Sequence, residues 1–158
     1  ARRPRFAHYN YWRGIAAFYA GDRKDARQWI EKGLELDPTD PIAQGVLAFV
    51  LAAEGESERA RDLLTLAEPG AAADGTFTYW IAKVHALLGD QDAALDWLGR
   101  AAQLGYWDSP WMRKDPVMES LRGHAGFLDH VAGLDERRAG LESALSQASA
   151  SLSNVLDS

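Results

Sequence analysis

The side chains with the widest chemical reach in this sequence are its four histidines, His8, His85, His124 and His130. A metal site or an acid–base pair needs two such groups on one face of an element, and the nearest approach is His124 with Asp129 and His130. A spacing of six along a continuous helix sends the two imidazoles to different faces, so the trio is read as surface residues. Asp92 and Asp96 share a face at i, i+4, as a carboxylate pair would, yet no histidine stands at a metal-binding spacing beside them. They are read as a solvated outer face. No HExxH, phosphate-cradling glycine loop or GxSxG elbow is present. The expectation is a non-enzyme with no catalytic residue, no metal and no cofactor.

Aromatic surface is the other chemistry on offer. Residues 105 to 116 read GYWDSPWMRKDP, placing Tyr106, Trp107, Trp111 and Met112 in one short stretch. Such a cluster either binds something or seals something. The bulk composition narrows the partners: the 158 residues carry a net charge of -6, against the basic stripe that nucleic-acid binding begins with. The only basic excess is the arm ARRPR at residues 1 to 5. Cysteine is absent, which excludes disulfides and thiolate metal sites. No apolar run reaches the ~18 residues of a membrane span and no signal peptide is evident. The expectations are no nucleic acid, no membrane and a cytoplasmic setting. The chain does not open with Met, which points to a processed form or a domain of something larger.

The organisation behind these residues is a repeat. Residues 7–40, 41–74 and 75–108 align without a gap at a period of 34. Gly14, Ala48 and Ala82 coincide; so do Gly21, Gly55 and Gly89; Ala26, Ala60 and Ala94; Ile30, Leu64 and Leu98; and Gly33, Ala67 and Ala101. Small residues at the first and third sets let two antiparallel helices approach closely. The recurrent glycine ends one helix by taking the left-handed conformation, and the acidic residue after it (Asp22, Glu56, Asp90) opens the next. Asp22 and Asp90 are placed to act as N-caps, and Asp40 before Pro41 starts the second unit.

This pattern resembles the tetratricopeptide repeat, a helix–turn–helix unit stacked into a right-handed solenoid. The resemblance implies an all-α solenoid of three helix hairpins, with the first helix of each unit lining a concave surface. It departs from the family at Arg13 and Ala17, where large residues are usual, and at His85, which replaces a packing Tyr. His85 is expected as a hydrogen-bonded histidine in or near the core. The family's contact positions fall here on His8, Tyr11, Trp12, Ile15, Phe18 and Tyr19 of the first unit, and on Ile42, Gly45, Val46, Phe49, Ala52 and Ala53 of the second. In the third unit they fall on Thr76, Tyr79, Trp80, Lys83, Ala86 and Leu87. The lysine, asparagine and arginine clamp that one subclass uses to grip a C-terminal carboxylate is absent: its five places hold Tyr11, Ile15, Val46, Thr76 and Trp80. What the resemblance implies is therefore an aromatic and apolar groove for a peptide or helix, with Lys83 its one clear cation. The candidate groove residues are His8, Tyr11, Trp12, Ile15, Phe18, Tyr19, Phe49, Tyr79, Trp80 and Lys83.

Tyr106 occupies the register place of Pro38, so GYWDSPWMRKDP begins where a further repeat would start. A stack of repeats exposes an apolar face at its end, and sealing that face is the expected task of residues 109–133. Gly105, Tyr106, Trp111, Asp115, Pro116, Leu121, Arg122 and Phe127 resemble the ending found after the last repeat in many bacterial multidomain proteins of the family, although Ala125 replaces the usual proline. The expected capping residues are Tyr106, Trp107, Trp111, Met112, Pro116, Leu121 and Phe127, with Trp111 a fully buried anchor. Asp115 and Pro116 mark a helix start, Gly123 a stop, and a second helix begins near Ala125. Over 134–158, Leu134, Leu141, Leu145, Ala148, Leu152 and Val155 form a short heptad seam interrupted by Arg138, and serines at 143, 146, 149, 151 and 153 weaken the helix. The expectation is an amphipathic helix that mediates self-association or fills a groove. Taken together, residues 1–6 form a basic arm before a protein-binding repeat array, part of a larger bacterial regulator, and a homodimer formed through the tail is the alternative.

Overall fold

The turn glycines set the architecture. In the computed structural model Gly21, Gly55 and Gly89 take φ of 88°, 84° and 80°, a region side chains disfavour, and each closes one helix against the next. The structure describes the backbone of residues 4–71 and 73–156, and the side chains of 8–71 and 73–151. Among the described residues there is no strand. The helices are α1 (Pro4–Tyr19), α2 (Arg23–Leu36), α3 (Pro41–Glu54), α4 (Ser57–Ala71), α5 (Gly75–Leu88), α6 (Gln91–Gln103), α7 (Ser109–Lys114) and α8 (Ala125–Leu156), with a 3-10 turn at Pro116–Leu121. The chain forms two compact units, Ala1–Tyr106 and Trp107–Ser158.

In the first unit α1 packs on α2, α3 on α4 and α5 on α6, and the first helices pack side by side, α1 on α3 and α3 on α5. Small residues permit the close hairpins: a Cβ on Gly14 would stand 2.4 Å from Ile30 Cγ1 and 2.8 Å from the Ala26 carbonyl. Ala48, Ala82, Ala26, Ala60 and Ala94 are fully buried at the equivalent crossings. Asp22 accepts from the Asp25 amide, and Asp40 from the amides of Ile42 and Ala43. The helix α1 begins at Pro4, so part of the arm expected over 1–6 is its first turn, proline being suited to that place.

Asp90 departs from its expected capping role and makes no side-chain cap bond. Its carboxylate sits instead in the fork of Arg61, at 2.5 and 3.1 Å. A charge-assisted bidentate pair outcompetes a single backbone amide. The same link occurs one repeat earlier, where Arg27 meets Glu56 at 2.5 Å and Glu54 at 2.9 Å. Arg27 and Arg61 hold the carboxyls of Glu56 and Asp90 below the usual carboxylate range. Each arginine thus ties the second helix of one repeat to the turn of the next. The third unit has Leu95 at the arginine place, and the ladder ends there.

The second unit is built on α7, the 3-10 turn and the first part of α8. Met112, Met118, Leu121, Phe127, Val131 and Leu134 are buried. Asp108 caps α7 through the Trp111 amide at 3.0 Å, and Asp115 accepts from Val117 at 3.1 Å. Asp135 of α8 accepts from Ser109 Oγ and from Arg113 at 2.5 Å, which fastens α7 to α8. Two capping expectations change here. Trp111 is 37% exposed, because adjacent helical residues point about 100° apart and Met112 takes the inward direction. Pro116 is exposed and serves only to start a turn, which is 3-10 where the sequence suggested an ordinary helix. Trp107 is half-buried beneath the Arg137 guanidinium, 4.2 Å from the ring centre.

Candidate functional site

On the concave face of the first unit one repeat lacks the side chain that its neighbours carry. At the fifth place of successive repeats stand Tyr11, Gly45 and Tyr79, and at the sixth Trp12, Val46 and Trp80. Of these aromatic residues, Tyr11 and Trp12 of α1 and Trp80 of α5 meet across Val46 of α3. The Phe77 ring uses the space over Gly45, where a Cβ would stand 2.7 Å from its Cε2. The face holds an open cavity of about 350 Å³, walled by His8, Trp12 and Ile15 of α1 and by Thr76 and Trp80 of α5. Tyr11, Ile42, Val46 and Phe77 also line it, together with the Asp74 carboxylate at the start of α5. His8 tilts against Tyr11 with ring centres 4.8 Å apart.

The other half of the face is filled by the protein itself. Phe49 is fully buried, its ring 4.4 Å from Phe18 and 5.0 Å from Trp80, where it stands edge-on. Lys83 is buried too: its Nζ lies 3.3 Å from the centre of the Trp80 ring and donates to Tyr19 Oη at 3.0 Å. Tyr79 is buried and stacks at 4.5 Å on Tyr106, which belongs to the repeat unit. Of the ten candidate groove residues, the structure brings His8, Tyr11, Trp12, Ile15 and Trp80 to the cavity. Phe49, Tyr79 and Lys83 are corrected to core positions, because a contact place on the first helix also faces the neighbouring first helix. Phe18 and Tyr19 cover the filled half. Lys83 is the cation of an aromatic cage and not of the groove surface.

Two models of the tetratricopeptide repeat match this sequence, one over residues 7–40 and the other over 41–64 and 76–100. The chain belongs to the tetratricopeptide repeat (TPR) family. No curated protein matches it. TPR arrays are in general protein–protein interaction modules and non-catalytic scaffolds, and the all-α solenoid seen here is their fold. The match lapses over 65–75, where Pro69 lies inside the last turns of α4 and Gly70 lets Pro41 approach to within 2.6 Å of a hypothetical Cβ.

Sequence reasoning passed over two lining residues of the TPR groove. Asp74 is the register equivalent of Asp40, and it caps α5 through the Phe77 amide at 2.7 Å. Phe77 lines the cavity and packs on Gly45, where a Cβ would stand 2.7 Å from its ring. The floor carries a marked electrostatic signature. Burial pushes the Tyr11 phenol up to about 12, the charges of Asp40 and Asp74 push the same way, and a side-chain hydrogen bond with Trp12 opposes them.

The other three histidines lie outside the groove. His85 Nε2 lies 3.0 Å from Glu68 and its Nδ1 3.6 Å from Asp90, and its ring stacks on Trp97. His124 Nδ1 accepts from the Gly126 amide at the start of α8, while burial pulls the His130 imidazole below its ordinary proton affinity. Asp92, Asp96 and Asp129 are exposed. Among the described residues no three His, Asp or Glu side chains converge to hold a metal ion, and no helix is long and apolar enough to cross a membrane.

Proposed function

We propose that the repeat unit binds a peptide or helical segment of another protein in the aromatic groove between α1 and α5, without catalysis. Trp12 carries this reading. Its ring is 52% exposed on the wall of a cavity whose floor is buried aromatic and aliphatic surface. An exposed indole beside a preformed apolar pocket is the kind of anchor that dominates binding energy at protein interfaces. The ending that follows the last repeat supports a place in a larger bacterial regulatory protein. To test the groove, peptides selected from a random display library on the purified chain are titrated by fluorescence anisotropy. Trp12→Ala is expected to weaken them by about tenfold or more, and Leu66→Ala, at an exposed position outside the groove, to leave them unchanged. If Trp12→Ala binds as the parent does, or if no peptide is enriched, this function is wrong.

A second reading, self-association through α8, is favoured by one observation. Residues 136–151 are exposed on every side, and the seam residues Leu141 and Leu145 are 45% and 70% exposed. The seam's last members, Leu152 and Val155, have side chains outside the described residues. A helix this polar and serine-rich gains most of its stability from a partner surface. Light scattering over a concentration series is expected to show a dimer that deletion of residues 136–158 converts to a monomer. An unchanged mass on deletion removes this second reading.

A further inference from the structure

We infer that the segment taken by the groove has an apolar anchor flanked by basic side chains, Lys or Arg; this deepens the groove reading and rests on it. The charged groups facing the cavity decide the sign. Asp74 lines it, and the fields of Asp40 and Asp74 both reach the Tyr11 phenol on its floor. His8 and Tyr11 are the titratable groups that α1 contributes to the lining. The nearby cation, Lys83, lies buried in the filled half with its ammonium turned to Tyr19 and the Trp80 ring.

The same geometry disfavours an acidic segment or a terminal carboxylate. Such a ligand would seek the amides at the starts of α3 and α5, and these already have their anion: Asp40 accepts from Ile42 at 2.9 Å and Asp74 from Phe77 at 2.7 Å. The exposed face of Trp12 adds to the preference, since the ring quadrupole attracts a cation and repels a carboxylate. The whole chain, at a net charge of -6, steers in the same direction.

Three amidated peptides with identical Leu and Phe anchors, and with Arg, Ser or Glu at the flanking places, test the inference by fluorescence anisotropy. The Arg peptide is expected to bind about tenfold more tightly than the Glu peptide, with the Ser peptide between them and the spread narrowing as salt is raised. Asp74→Asn keeps a capping side chain. It should cut the advantage of Arg over Ser about threefold. Asp92→Asn, the same charge change on the outer face, should leave that advantage as it is in the parent. The charge preference is overturned if the Glu peptide binds as tightly as the Arg peptide through Trp12, or if Asp74→Asn behaves as Asp92→Asn does; the groove itself then stands. If all three bind equally to parent and Trp12→Ala, or none binds, the groove fails and the inference with it.

Discussion

Phe49→Ala is expected to destabilise the repeat unit by about 3–5 kcal/mol, whereas Trp12→Ala changes its stability by less than about 1 kcal/mol. Both residues stand at places where relatives of this fold touch ligands, and both are aromatic. The difference is burial. Phe49 is fully enclosed between Phe18 of α1 and Trp80 of α5, so its removal leaves a cavity at the point where three helices meet. Trp12 is half exposed and leaves none. Urea unfolding followed by circular dichroism separates the two, because a ligand contact and a core residue give opposite results. Comparable midpoints for the two variants would mean that Phe49 is not the keystone of the filled half. The prediction also governs how binding data are read: loss of binding in Phe49→Ala reports a damaged fold, and only Trp12→Ala reports the groove.

The fold was legible because its determinants are local and repeat. Gly21, Gly55 and Gly89 must turn the chain, Asp22 and Asp40 must start helices, and the small residues at Gly14, Ala48 and Ala82 must lie at crossings, whatever the rest of the chain does. Asp90 failed as a cap for a non-local reason, the arrival of Arg61 from the preceding repeat. That signal was present, since Arg27 and Arg61 are themselves one period apart, but it has meaning only once the second helix of one repeat is known to touch the turn of the next.

The groove was half legible for the same reason. A register position gives the direction in which a side chain leaves its helix and does not give what meets it there. Whether Phe49 fills the groove or lines it depends on Phe18 and Trp80, which come from repeats on either side. The Phe77 part of the lining depends on a non-local fit: Phe77 packs where Gly45 carries no side chain, a Cβ there standing 2.7 Å from its ring. Lys83 illustrates the hazard of reading charge from a list of positions. Its ammonium is engaged by aromatic faces and a phenol and is not presented to the open half.

In the second unit the large effect is expected at Met112, with Met112→Ala costing about 2–5 kcal/mol and Trp111→Ala about 1 kcal/mol. The sequence suggests the reverse, because tryptophan is the larger apolar side chain and stands in the more distinctive motif. Helix geometry decides otherwise. Once Asp108 caps α7 at the Trp111 amide, Ser109, Met112 and Asp115 fall at intervals of three on one face, and all three are buried. Trp111 lies about 100° away from that face. The face is fixed by Asp135, which engages Ser109 and Arg113 and so holds α7 in one rotation against α8. Swinging Trp111 inward would break both contacts and place Met112 in solvent. Amide hydrogen exchange over residues 127–134 is the local readout, since it reports the opening of α8 without requiring the two units to unfold together. Faster exchange in Met112→Ala than in Trp111→Ala is the expected order, and the opposite order would return the indole to the role of anchor.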